Sequence, residues 1–329
     1  MSKTKIICTL GPSSYKPNVL KKLKGHGVNI FRINLSHTPK NKILERIKYL
    51  KRKKIKNICI DTEGAQVRTT KIKTRTLFKK NKIVKVSISD KFSNKNNIFL
   101  YPEFKILNCK IKTKIKLGFN NLVLEVKKKD KKNKILTTKV IEPGYLESNK
   151  AVHFDQKIHL PPLTRKDIYG IKLAKKNKIK FYAMSFVNNS NDIDQIKKII
   201  GRKSFLISKI ETKLALINLS EISKKSSALL IDRGDLSRYV PIEEIPVAQE
   251  KIIKHGIKNN LPVYVATNLL ETMIKEQQPT RAESHDIFST LKQGASGLVL
   301  AAETAIGRNP VGCVIFMKKA IKVFKKISK

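Results

Sequence analysis

Tryptophan is missing from this sequence altogether, and aromatic residues make up only 6% of it. Rows of rings for stacking bases are therefore not available. Cysteine is sparse as well: Cys8, Cys59, Cys109 and Cys313 lie far apart, with no CxxC pair. That spacing argues against zinc ribbons and redox dithiols, and it leaves the thiols as buried apolar groups in a reducing compartment. No apolar run approaches the roughly 20 residues needed to cross a bilayer. The amino terminus passes from Met1 directly into Lys3-Thr4-Lys5-Ile6-Ile7-Cys8, which reads as a strand and not as a signal peptide. A cytoplasmic location without a membrane partner is expected.

Acidic residues are few: 25 Asp and Glu stand against 70 Lys and Arg, for a net charge of +45. Such an excess usually points to nucleic acid. Here only 11 of the 70 are Arg, and the Lys residues are spread along the whole chain beside abundant Ile and Asn, as an AT-rich genome would produce. Readers of nucleic acid favour the forked guanidinium of Arg. The charge is thus read as a solvated surface, with no nucleic-acid partner.

What the chain does have is a long series of short apolar runs. Eight strand candidates occur near 4–8, 28–33, 56–60, 180–185, 204–209, 228–231, 262–267 and 296–300, most of them separated by Lys-rich stretches with helical spacing. Repeated βα units of this number predict a (β/α)8 TIM barrel. From about 70 to 154 the pattern changes to alternating runs such as Ile83-Val84-Lys85-Val86-Ser87-Ile88. This predicts a small all-β lid domain inserted after the third strand (70–154), with 1–69 and 155–329 forming the catalytic barrel. Without the insertion about 245 residues remain, close to the usual barrel size.

Barrel chemistry sits just beyond the carboxyl ends of the strands. Ser208-Lys209-Ile210-Glu211 follows one apolar run and Asp232-Arg233-Gly234-Asp235 follows the next. Glu211 and Asp235 are candidate ligands of a divalent metal, and Lys209 would face an anionic substrate. After the second and third strands, Asn34, Ser36, Asp61 and Thr62 offer oxygen ligands of low total charge, suited to a monovalent cation. Arg32 and Arg68 offer forked phosphate donors. Thr267, after the seventh strand, is a candidate hydroxyl facing the site. Pro279-Thr280-Arg281 reads as a helix start or a binding loop, and His37, His153 and His285 have no metal-ligand spacing.

Taken together, these segments resemble the pyruvate kinase family. The resemblance is carried by Thr4 to Ser14, Arg32 to His37, Asp61 to Thr69, Leu160 to Asp167, Ser208 to Glu211, Arg233-Gly234-Asp235-Leu236 and Met273 to Glu283, in the family's order. It implies phosphoryl transfer from phosphoenolpyruvate to ADP, giving pyruvate and ATP in glycolysis. On that resemblance Lys209 and Arg32 stabilise the migrating phosphoryl group, and Thr267 helps to protonate the enolate. Glu211 and Asp235 hold Mg2+ or Mn2+, and Gly234, Asp235 and Ser185 contact substrate. Arg68 and His37 contact nucleotide, while Asn34, Ser36, Asp61 and Thr62 form a K+ site.

The chain departs from the family pattern at Glu63 and Ala65, where Lys and Pro are usual, and at Gln66, which leaves K+ dependence open. Ala301, Ala302 and Ile306 replace the Ser, Gly and Lys expected near the nucleotide. Typical members continue into a further α/β domain, so the resemblance also implies a short form, a homodimer and no sugar-phosphate effector site. A rival reading keeps the barrel and makes the protein a pyruvate or phosphoenolpyruvate enolate enzyme without ADP as acceptor.

Overall fold

The computed structural model describes residues 4–118 and 122–327. Eight parallel strands close into a barrel: Lys5–Thr9, Ile30–Asn34, Ile58–Asp61, Phe181–Met184, Phe205–Ile210, Ala228–Asp232, Val263–Ala266 and Gly297–Leu300. Each pairs with its neighbours in this series, and the eighth returns to the first with Ile7 opposite Val299 and Cys8 opposite Leu300. The fold is the expected (β/α)8 TIM barrel, with strand ends within about two residues of those read from the sequence.

A helix follows every strand: Pro17–Gly25, Ile43–Arg52, Arg165–Lys176, Ser190–Ile200, Leu219–Lys225, Ile245–Lys258, Arg281–Lys292 and Pro310–Ile327. Their inward stripes have helical spacing, as in Ile43, Ile47 and Leu50. Reciprocal capping boxes fix three of the starts, at Thr164 with Asp167, Asn189 with Asp192, and Thr280 with Glu283. The Pro279-Thr280-Arg281 segment is therefore a helix start. The basic carboxy-terminal helix buries Cys313, Val314, Met317 and Ile321 against the barrel.

Alternate residues along each strand face opposite ways, which sorts the barrel into two cores. One lies between sheet and helices. The other fills the interior with Ile7, Ile30, Cys59, Ala183, Ile207, Leu230, Tyr264 and Val299. Tyr264 is large, and Gly297 makes room for it: a Cβ there would lie 2.9 Å from the Tyr264 ring and 2.7 Å from the Lys5 carbonyl.

Residues Ala65–Pro161 form a second compact unit. Its seven-stranded sheet runs Val152–Phe154, Lys114–Leu117, Leu122–Asp130, Ile135–Glu142, Ile83–Ile88, Asn97–Tyr101, Arg68–Thr69. Alternation again explains it, since Val84 and Val86 are buried while Ile83 and Lys85 are exposed. Among the described residues no helix is long and apolar enough to cross a membrane.

Gly297→Ala is expected to destabilise the barrel by about 1–3 kcal/mol through overpacking, read from urea unfolding. Gly25→Ala, where an added Cβ meets nothing within 4 Å, serves as the control. An unchanged midpoint in Gly297→Ala would contradict the packing assigned to Tyr264.

Candidate active site

The interior alternation that places apolar side chains in the barrel also places the polar ones. Two residues beyond Ile7, Ile30, Cys59, Ala183, Ile207 and Leu230 come Thr9, Arg32, Asp61, Ser185, Lys209 and Asp232. They share the inward face at the carboxyl ends of six strands, and all but Asp232 are buried.

Lys209 is the centre of this layer. Its Nζ lies 2.7 Å from Glu211 Oε1, 3.3 Å from Asp232 Oδ2 and 3.9 Å from Asp61 Oδ1, and it donates to Ser185 Oγ at 3.1 Å. Burial alone would lower the pKa of this lysine. The carboxylates of Asp61, Glu211 and Asp232 outweigh burial and hold it well above its ordinary value, so the ammonium stays charged. Arg32 flanks Asp61 from the other side, with Nη1 3.1 Å from Oδ2, and its Nε donates to Thr9 Oγ1 at 2.8 Å. Two cations therefore converge around one buried carboxylate.

Ser185 ties the third and fourth strands together. Its hydroxyl donates to the Thr62 carbonyl at 2.8 Å, and its amide donates to Thr62 Oγ1 at 3.0 Å. The loop behind Thr62 is pinned by Asp167, which accepts from the amides of Glu63 at 2.8 Å and Gly64 at 3.2 Å. Glu63 meets Lys166 at 3.1 Å and accepts from the Thr164 hydroxyl at 2.7 Å, which explains how an acid is accommodated at this position.

Glu211, Asp232 and Asp235 each bring a carboxylate oxygen to within 4.8 Å of the others. Glu211 also accepts from the Phe186 amide at 2.6 Å, which fixes its second oxygen. Burial raises the Glu211 pKa most strongly; Lys209 opposes that rise, and Asp235 and Asp232 add to it. Burial also acts against ionisation of Asp232, yet Lys209 and the Thr267 hydroxyl bring that group below its usual value. Thr267 donates to Asp232 Oδ1 at 2.6 Å from a left-handed backbone, φ +78°, followed by Asn268 at +59°. Gly234 packs beneath it: a Cβ there would lie 2.9 Å from Thr267 Cγ2. Gly234 and Asp235 sit in the short helix Arg233–Leu236, whose first-turn amides lack intrahelical acceptors.

The remaining sequence candidates are placed as follows. Asn34 is the register partner of Asp61 on the adjacent strand, and its side chain accepts from the Ser36 amide at 2.8 Å. His37 is exposed at the end of the turn Leu35–His37. Arg68 belongs to the inserted unit, where its strand pairs with Asn97–Tyr101. Asp232 and Thr9 were not singled out as site residues by motif, although their register two residues past Leu230 and Ile7 was a usable signal.

The family model for the pyruvate kinase barrel domain matches residues 1–314. Over its full length the chain is 35% identical to pyruvate kinase from Thermotoga maritima, covering 71% of that protein. It is 31% identical to pyruvate kinase from Sporosarcina psychrophila, with 97% of this chain and 56% of the relative aligned. Against pyruvate kinase from Staphylococcus aureus it is 30% identical, covering 57% of the relative. The chain belongs to the pyruvate kinase family. It spans a little over half the length of the last two relatives.

Pyruvate kinases generally use Mg2+ and K+. The donor set found here suits a hard divalent cation, because Glu211, Asp232 and Asp235 supply only oxygen, and together with Asp61 these carboxylates outnumber the buried cations Lys209 and Arg32. A proton on Glu211 competes with such an ion, and the folded-state value of this carboxyl lies above the ordinary 4.5. Mn2+ affinity, followed by electron paramagnetic resonance, is therefore expected to fall on acidification while the pH is still above the ordinary carboxylate range. Glu211→Gln should weaken binding and flatten that dependence. A flat profile in the unsubstituted protein down to pH 4.5 would exclude Glu211 as a ligand.

Proposed function

We propose that this chain transfers the phosphoryl group of phosphoenolpyruvate to ADP, giving pyruvate and ATP. The observation that carries the reading is Lys209, a buried ammonium paired with carboxylates beside a three-carboxylate cluster at the carboxyl end of a barrel, with Arg32 held on the other side of Asp61. Phosphoryl transfer asks little covalent chemistry of a protein and much preorganised positive charge. Lys209 and Arg32 supply that charge from fixed positions.

In the reaction the enol P–O bond breaks, a bond forms from phosphorus to an ADP oxygen, and the enolate takes one proton at its methylene carbon. Lys209 stabilises negative charge on the phosphoryl group and on the enolate oxygen. Arg32 grips the phosphoryl oxygens, and the amides of Gly234 and Asp235, with Ser185, orient the substrate. The Thr267 hydroxyl, oriented by Asp232, serves protonation of the methylene carbon. Glu211 and Asp235, joined by Asp232, would hold Mg2+ or Mn2+, and the bound ion would supply Lewis-acid stabilisation of developing negative charge. Asn34, Ser36, Asp61 and Thr62 would take K+. Arg68 and His37 are assigned to nucleotide phosphates. Homodimeric assembly and a cytoplasmic location belong to the same reading.

Pyruvate formation from phosphoenolpyruvate and ADP with Mg2+, with and without K+, tests it beside solvent exchange of the methyl hydrogens of pyruvate. ADP-dependent turnover supports the kinase. Methyl exchange without ADP-dependent turnover would instead favour an enolate enzyme that does not use ADP. Lys209→Ala is expected to lower turnover about 10³- to 10⁵-fold, the range for removing a charge that acts on the moving phosphoryl group. Mn2+ binding should persist in that variant, since the acids lose a competing cation. Near-normal turnover would remove Lys209 from the mechanism.

A further inference from the structure

Thr267 has a backbone conformation that a β-branched residue seldom adopts, so something must hold it there. Its carbonyl supplies the answer. Arg233 Nε donates to Thr267 O at 3.1 Å and Nη2 donates to the same oxygen. The far edge of the guanidinium is clamped by Asp286, at 2.8 Å from Nη1 and 2.7 Å from Nη2. Nη1 also faces Gln249 Oε1 at 3.4 Å, and that amide is itself tied to Gln293 at 2.8 Å and to Thr290 at 3.3 Å. All five N–H donors of Arg233 are thus accounted for, on groups outside the carboxylate cluster.

We infer that Arg233 is a positioning residue that sets the Thr267 hydroxyl for protonation of the enolate, gripping its carbonyl while Asp232 takes its hydroxyl. The two grips come from consecutive residues of one chain segment and hold Thr267 at both ends. Asp286 and Gln249 anchor the guanidinium to two outer helices, Arg281–Lys292 and Ile245–Lys258, so the strained turn is braced from outside the barrel. A lysine cannot replace this fork, because a single ammonium cannot bridge a carbonyl and a bidentate carboxylate. The role in protonation rests on the function proposed above, whereas the bracing of Thr267 does not.

The test is a double-mutant cycle of Arg233→Lys with Thr267→Val, read as kcat, KM for phosphoenolpyruvate and the rate of methyl exchange of pyruvate. Arg233→Lys is expected to lower kcat and exchange about 100-fold, as a misplaced reacting group does, with KM and Mn2+ affinity little changed. Added to Thr267→Val, it should cost no more than about 2-fold. An equal loss in both backgrounds would overturn the inference. Asp286→Asn, which keeps the shape of its helix, replaces Arg233→Lys in the cycle if that variant does not fold. If the unsubstituted protein neither turns over nor exchanges, the proposed function fails, and the brace is decided by methyl resonances of threonine-labelled protein. A shift of the Thr267 methyl in Asp286→Asn, with Thr304 unmoved, sustains the bracing; an unmoved Thr267 methyl overturns it.

Discussion

A charged lysine held inside a barrel by carboxylates is the constraint on which the rest of this site depends. An ammonium in that position is costly unless partners surround it, and Asp61, Glu211 and Asp232 do so from three different strands or strand ends. The same carboxylates are then committed in position before any ligand arrives. Asp61 is shared with Arg32, so the second cation is fixed by the lysine's own counter-ion. Glu211 is fixed in turn by the Phe186 amide. Lysine, arginine and the acid cluster form one electrostatic unit, and removal of Lys209 or Arg32 leaves buried carboxylate charge unmatched.

The barrel supplies this unit through strand register. A single inward alternation produces the apolar interior lower in the barrel and the polar layer above it, so the site has a packed floor of Ile207, Leu230 and Cys59 directly beneath Lys209, Asp232 and Asp61. Loops reinforce it from outside. Asp167, at the start of the helix after the insertion, holds the chain beyond Asp61, and Asp286 holds Arg233 beyond Asp232. The strand ends that carry Asp61 and Asp232 thus each have an anchor on an outer helix.

Much of this was legible in the sequence, because short apolar runs separated by helix-spaced Lys-rich stretches define a closed parallel barrel with few alternatives. Lys209, Glu211 and Asp235 were legible for the same reason, as charges directly after such runs. Asp232 is less legible because it is the last residue of its strand and not part of the loop beyond it, and its place in the site follows from lying two residues past Leu230 on the inward face. The bracing of Thr267 was not legible at all. Its partners Arg233 and Asp286 are separated by 53 positions, and the pairing of the sixth and seventh strands brings them together. Glu63, a departure from the family pattern, is accommodated by Lys166 and the Thr164 hydroxyl, about 100 positions away and beyond the reach of any local motif.

The central claim is that the acid cluster beside Lys209 is a divalent-cation site facing an enolate. Its most direct test is a crystal structure with Mn2+ and oxalate, a planar dianion shaped like the enolate, with the metal located by anomalous scattering. The account predicts Mn2+ on Glu211 and Asp235, with oxalate bridging from the metal toward Lys209. Manganese elsewhere, with Glu211 still closed on Lys209 and Asp235 on Arg238, would contradict it.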